Sequence, residues 1–184
     1  MRRTIATLAL LLILLSSTAR AQSAGVSAGL EAGVGLTTQE ENFGGGGLLA
    51  GARVGFHLTE KTALELSVTR IAHRRDFPGS PVSVVGRSIF SGLSLKHDFT
   101  SGRVRPFVVA GIGLNNYVRT WTDPVSASRV SRGGSHGYNA GGGVVVRRGR
   151  WEHGPEARLY MLAVDADSTA AFILTGAYRV SLRF

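Results

Sequence analysis

The chain predicts an all-β fold: an eight-stranded antiparallel up-and-down transmembrane β-barrel preceded by a cleaved signal peptide. Three observations predict it. The N-terminus carries an export signal, period-two alternation of apolar and polar residues recurs in eight later segments, and the connections between those segments alternate between short and long. Residues 1–21 open with Arg2 and Arg3, continue through an apolar run over 5–15, and end with Ala19 and Ala21 flanking Arg20. A cationic start, a short apolar stretch and small residues at alternate positions are the parts of a secretory signal peptide. The apolar run is about half the length that a membrane-spanning helix needs. This gives two units, 1–21 as signal peptide and 22–184 as barrel.

Composition agrees with one exported domain. The chain has 184 residues, with 21 Lys and Arg against 12 Asp and Glu, and charged residues are only 18% of the total. Soluble domains average roughly 25%. Removing Arg2, Arg3 and Arg20 from the 21 cations leaves 18 against 12 anions, so the surplus falls from +9 to +6. Export and the lower surplus argue against nucleic acid as the partner. The absence of Cys excludes a disulfide framework, a thiolate metal site and a cysteine nucleophile.

The eight segments are expected at 24–38, 46–58, 62–73, 82–99, 104–120, 137–148, 156–164 and 171–184. The last is the clearest: Phe172, Leu174, Tyr178, Val180, Leu182 and Phe184 share one face, while Thr175, Arg179, Ser181 and Arg183 share the other. In the second, Leu48, Ala52, Val54 and Phe56 oppose Gly51, Arg53, Gly55 and His57; in the third, Leu64, Leu66 and Val68 oppose Glu65, Ser67 and Thr69. Such alternation marks half-buried strands. Connections at 59–61, 100–103 and around Arg150 are short, whereas 39–45, 74–81 and 121–136 are longer and carry the Gly, Ser, Asp and Pro of exposed loops. With both termini on one side, every short turn falls on that side, the pattern of bacterial membrane barrels. Pro106 and Pro155 are expected at segment starts, where a missing N–H is tolerated. Tyr117 conflicts in phase with 108–116 unless a bulge lies near Asn115.

Alternation leaves open which face is inside. A soluble barrel would fill its interior with the apolar face; a membrane barrel turns that face to lipid. The polar face is rich in Gly25, Ser27, Gly29, Gly33, Gly111, Gly113, Gly141 and Gly143, which suits a narrow interior. It also carries charges of both signs, Glu31, Glu65 and Glu156 with Arg53, Lys96, Arg158 and Arg179, a set expected to pair in the lumen because an unpaired buried charge costs several kcal/mol. Arg147 and Arg183 lie near the mouth and can reach water. Aromatic residues collect near segment ends, with Phe56, Phe99, Trp151 and Phe184 at one side and Tyr117, Trp121, Tyr138 and Phe172 at the other, as interfacial girdles do.

Three stretches carry a resemblance. Arg105-Pro106-Phe107-Val108-Val109-Ala110-Gly111-Ile112-Gly113 is similar to a Pro-Tyr-Val-Gly-Ala-Gly-Val-Gly strand, with Phe107 for Tyr and Val109 for Gly. Tyr138-Asn139-Ala140-Gly141-Gly142-Gly143-Val144 is similar to the strand that follows it. The chain ends on Tyr178, Val180, Leu182 and Phe184 in alternation. Together they resemble the small outer-membrane β-barrel proteins of Gram-negative bacteria, including the opacity-protein-like group and the barrel of outer-membrane protein A. The resemblance implies fold and a cell outer-membrane location. It also implies that the last four alternate residues act as an insertion signal for the outer-membrane assembly machinery. Members of the family do different things, and fold does not carry function.

Candidate chemistry is sparse. Gly133-Gly134-Ser135-His136-Gly137 matches a nucleophile-elbow pattern, but that motif needs a strand, sharp turn and helix, and here it is expected in a loop entering a strand. Outer-membrane lipid A deacylase is a second likeness, with His and Ser two apart on a strand face; His136 is followed two residues on by Tyr138 instead. Ser94, Lys96 and Asp98 share a face that His97 does not. The five His show no metal-ligand spacing, and neither metal nor cofactor is expected. Arg74, Arg75, Arg129 and Arg132 at the outer rim are candidates for lipopolysaccharide phosphate, which guanidinium binds bidentately. The expectation is a non-enzymatic, monomeric outer-membrane scaffold that displays surface loops and has no wide pore. Its partners would be outer-membrane lipids, lipopolysaccharide and an unidentified surface ligand. The alternatives are a lipid A-modifying enzyme and a soluble ligand-binding barrel.

Overall fold

In the computed structural model of the protein, residues 25–38, 45–76, 83–122, 128–164 and 169–184 are described. They form eight strands: β1 Val26–Thr38, β2 Gly45–His57, β3 Thr62–Asp76, β4 Ser83–Asp98, β5 Val104–Thr122, β6 Arg129–Arg148, β7 Trp151–Val164 and β8 Thr169–Arg183. Each pairs antiparallel with its neighbours in sequence, and β1 pairs with β8, closing the barrel. Closure leaves no sheet edge with unpaired backbone groups, which a hydrocarbon environment would penalise by several kcal/mol per group. The seam runs from Ser27 opposite Arg183 to Thr38 opposite Phe172, and the Phe184 N–H donates to the Val26 carbonyl at 2.7 Å. The expected signal peptide and most of the expected long loops lie outside the described residues.

The alternation sets the two faces. Leu30, Val34, Leu48, Val54, Leu66, Val68, Leu93, Ile112, Leu174 and Val180 point outward and are exposed. Glu31, Arg53, Glu65, Ser94, Lys96, Glu156, Arg158 and Arg179 point inward and are buried. A soluble barrel has the opposite arrangement. Phe99, Trp151 and Phe184 at the short-turn end, and Tyr138 and Phe172 at the other, stand exposed on the outer surface.

The structure corrects four expectations. β6 starts at Arg129 rather than 137, so Gly133 to Gly137 form strand, not loop. Glycine-rich composition reads as a loop, but cross-strand pairing with β5 from Trp121–Arg129 onward overrides it. β7 begins at Trp151, which puts Pro155 inside a strand; pairing of β6 with β7 is interrupted there, between Gly143–Glu156 and Val146–His153. The missing proline N–H accounts for a break at that place. β5 pairs continuously with β4 and β6 through Asn115, without a bulge. Tyr117 and Trp121 therefore take the inward parity of Asn115 instead of joining the outer aromatic girdle, and the Tyr117 hydroxyl reaches over Gly133.

Candidate functional site

The interior is built in three levels. At the middle, six charged side chains from five strands meet: Glu31 on β1, Arg53 on β2, Glu65 on β3, Glu156 and Arg158 on β7, and Arg179 on β8. Arg53 pairs with Glu31 and lies 3.3 Å from Glu65 and 3.0 Å from Glu156. Arg179 holds Glu65 at 2.6 Å and Glu156 at 3.1 Å, and Arg158 holds Glu156 at 2.7 Å. Thr69 Oγ1 donates to Glu31 at 2.6 Å, while Arg158 Nη1 donates to Asn139 Oδ1 at 3.4 Å. Three carboxylates balance three guanidiniums, and each charge meets at least one opposite charge, the condition under which buried ions are tolerated.

Glycine makes the room. Gly51 is the cross-strand partner of Glu31, and Gly141 that of Arg158. A Cβ at Gly141 would lie 2.9 Å from the Arg158 Cα, a backbone clash that no rotamer relieves.

Towards the short turns, Lys96 does not join this set: its ammonium lies 2.5 Å from Asp98, one level lower. Lys96 shares the face of the other cations, but face parity does not encode height. Arg105, which sequence reasoning passed over, is 2% exposed and ties two turns together. It donates to the carbonyls of Gly102 at 2.9 Å and Ser101 at 2.7 Å on one turn, and reaches Glu60 at 3.3 Å on the other. Phe107 lies under the network, 4.9 Å from Lys96 Nζ and 5.2 Å from the Arg179 guanidinium, both within cation–π range.

Towards the long-loop end the lumen is apolar. Leu49, Ile71, Phe90, Tyr160, Leu162 and Ile173 form a buried cluster, with the Phe90 and Tyr160 rings edge to face at 4.9 Å. This level was missed at the sequence. Its signal is the breakdown of alternation in apolar doublets: Leu48-Leu49, Ile89-Phe90 and Ile173-Leu174 each have one residue for lipid and one for the lumen.

Of the rim candidates, Arg74 lies on β3 and Arg129 and Arg132 on β6, all exposed. Arg75 lies on β3, but its side chain is outside the described residues. Tyr178, Val180, Leu182 and Phe184 share the outward face of the C-terminal segment. Ser135 turns inward opposite Asn115, and His136 outward opposite Leu114, so the elbow-like pattern is split across the wall. His97 faces outward and bonds Thr62 Oγ1 at 3.1 Å, away from Ser94, Lys96 and Asp98.

No family model and no curated protein sequence matches the chain. Solved structures do. The chain is similar to Neisserial surface protein A, with TM-score 0.66 and 16% identity over 86% of this chain and 97% of that one. It is also similar to Ail, the attachment invasion locus protein of Yersinia pestis, in complex with the heparin analogue sucrose octasulfate; there the TM-score is 0.59 with 10% identity, covering 89% of this chain and 100% of that one. The outer membrane enzyme PagL gives 0.56 and 15%, over 82% of this chain and 97% of that one. The protein has the fold of the small eight-stranded outer-membrane β-barrels.

Proposed function

We propose that the protein is a cell outer-membrane scaffold with a structural or surface-interaction role, exported by its signal peptide and inserted as a monomer, with its long loops at the cell surface. The observation that carries this reading is the filled interior. A balanced ionic cluster at mid-height and a packed apolar cluster above it occupy the space that a pore would need, as eight strands dictate. A sealed cylinder has its exposed ends and its lipid-facing wall left for interaction. The reading is non-enzymatic: on the outer face His136 has Leu114 and Tyr138 beside it, Ser91 lies a further strand away across Leu114, and no described carboxylate stands there to orient the imidazole.

Cell fractionation should recover the protein with the outer membrane, and the purified barrel in planar bilayers should give no steady conductance step. Recovery as a soluble periplasmic protein, or a stable open channel, would overturn the scaffold. Lipid A analysed by mass spectrometry should be unchanged between cells with and without the gene; loss of an acyl chain would establish the enzyme instead.

A further inference from the structure

Inside the barrel every described mid-height charge has an opposite partner; outside it, among the described residues, β3 and β4 set guanidiniums side by side at the upper edge of the apolar wall. Arg70 on β3 and Arg87 on β4 point outward and are exposed, and neither has an ion pair with a described carboxylate. Counting up from the short turns, Arg70 is eight residues above Thr62 and Arg87 eleven above Asp98, while Tyr138 is ten above Arg148 and Phe172 eleven above Arg183. At about 3.4 Å per residue and a tilt near 40°, each residue adds roughly 2.6 Å of height, so all four stand about 20–29 Å up, at the upper edge of an apolar band about 25 Å tall. Where β6 and β8 present aromatic rings at this level, β3 and β4 present guanidiniums.

The two arginines are diagonal neighbours. Arg87 is the cross-strand partner of Ala72, two residues from Arg70 on the same face, which puts their Cβ atoms roughly 7–8 Å apart. Exposed Arg74 completes the sector on the other side of Ala72. Two unpaired like charges this close repel, and the repulsion is relieved by an anion that both can bind. Immediately beside them lies a groove of about 630 Å³ in the outer wall, lined by Ala32, Leu48, Ala50 and Ala72 and headed by Arg70. Ala32, Ala50 and Arg70 form one cross-strand row, so the groove leads from the guanidinium down an alanine floor.

We propose that this sector is a binding site for a phosphorylated, multiply acylated lipid of the outer leaflet, its phosphate bridged by Arg70 and Arg87 and one acyl chain laid in the alanine groove. Charge complementarity selects the occupant. A neutral lipid leaves two guanidiniums unmatched at the interface, and a free anion leaves the groove unfilled. The site rests on the outer-membrane orientation proposed above, but the test below uses purified protein and reads binding independently of location.

Native mass spectrometry of the refolded barrel in detergent, titrated with bisphosphorylated lipid A, with dephosphorylated lipid A and with inorganic pyrophosphate, tests both halves. The wild-type protein should retain lipid A. Arg70→Gln/Arg87→Gln should weaken it at least tenfold, removal of the lipid phosphates should do the same, and Ala50→Leu should weaken lipid A while leaving pyrophosphate unaffected. Both variants face outward and should keep heat-modifiable migration, which reports the closed fold. Equal lipid A retention by wild type and the double arginine variant overturns the site, as does pyrophosphate binding as tightly as lipid A. A concentration-dependent dimer abolished by Ala50→Leu would also overturn it, since the groove would then belong to a second copy. Failed fractionation with intact lipid A binding would discard the location and keep the site.

Discussion

Glu65 shows how the interior works at the scale of one side chain. It is 3% exposed and receives guanidinium contacts from Arg53 and Arg179. Removing its charge leaves those cations sharing Glu31 and Glu156 alone, and breaking a buried pair costs about 3–5 kcal/mol. Glu65→Gln and Arg179→Ala should each lower the urea midpoint of the detergent-refolded barrel by that equivalent; an unchanged midpoint would mean the pairing carries no stability. The membership of Arg53, Glu65, Arg158 and Arg179 in the lumen was legible because face parity in a strand is fixed by counting. The height of Lys96 was not, because two residues of the same parity differ in depth by strand tilt and register, which no single segment reveals. The bulge expected near Asn115 failed for a related reason: an aromatic at an inward position is ordinary where a glycine, here Gly133, stands opposite.

At the scale of elements, all eight strands were legible, and the short-turn side of the barrel was read more accurately than the long-loop side. There alternation is clean and turns are compact except at the start of β7, where Gly154 and Pro155 mask five strand residues, whereas the start of β6 is glycine-rich and carries no apolar period, so only its pairing with β5 defines it. The apolar plug escaped for the opposite reason, since both faces of the strands are apolar at that height. The short-turn side also has a staple that parity could not show. Arg105→Ala removes donors to the Gly102 and Ser101 carbonyls and the contact with Glu60. Hydrogen bonds from charged donors are worth about 1.5–3 kcal/mol each. Trypsin should therefore cut after Lys61 several-fold faster in the variant than in wild type under native conditions. An unchanged rate would show that the turn is held by its own Thr59 hydroxyl, which accepts from the Thr62 N–H at 3.0 Å.

For the whole molecule, the distribution of charge by depth predicts its response to salt. Exposed pairs weaken as the Debye length falls from about 10 Å at 0.1 M to about 3 Å at 1 M, while buried pairs are screened much less. The ionic cluster is sealed between Phe107 below and the apolar plug above, so the unfolding midpoint in urea should change little between these salt concentrations. A large fall would mean that the cluster is wet.

The same cluster has a consequence for assembly. Strands β1 to β3 contribute Glu31, Arg53 and Glu65, a sum of −1, while β7 and β8 contribute Glu156, Arg158 and Arg179, a sum of +1. Neither end of the polypeptide can neutralise itself. Until the first and last strands zip together, a nascent sheet would hold one orphaned anion and one orphaned cation within hydrocarbon, so an unfinished wall is penalised beyond its ragged hydrogen bonds. Ring completion cancels both at a stroke, giving the cylinder an internal check that its two ends have met in register.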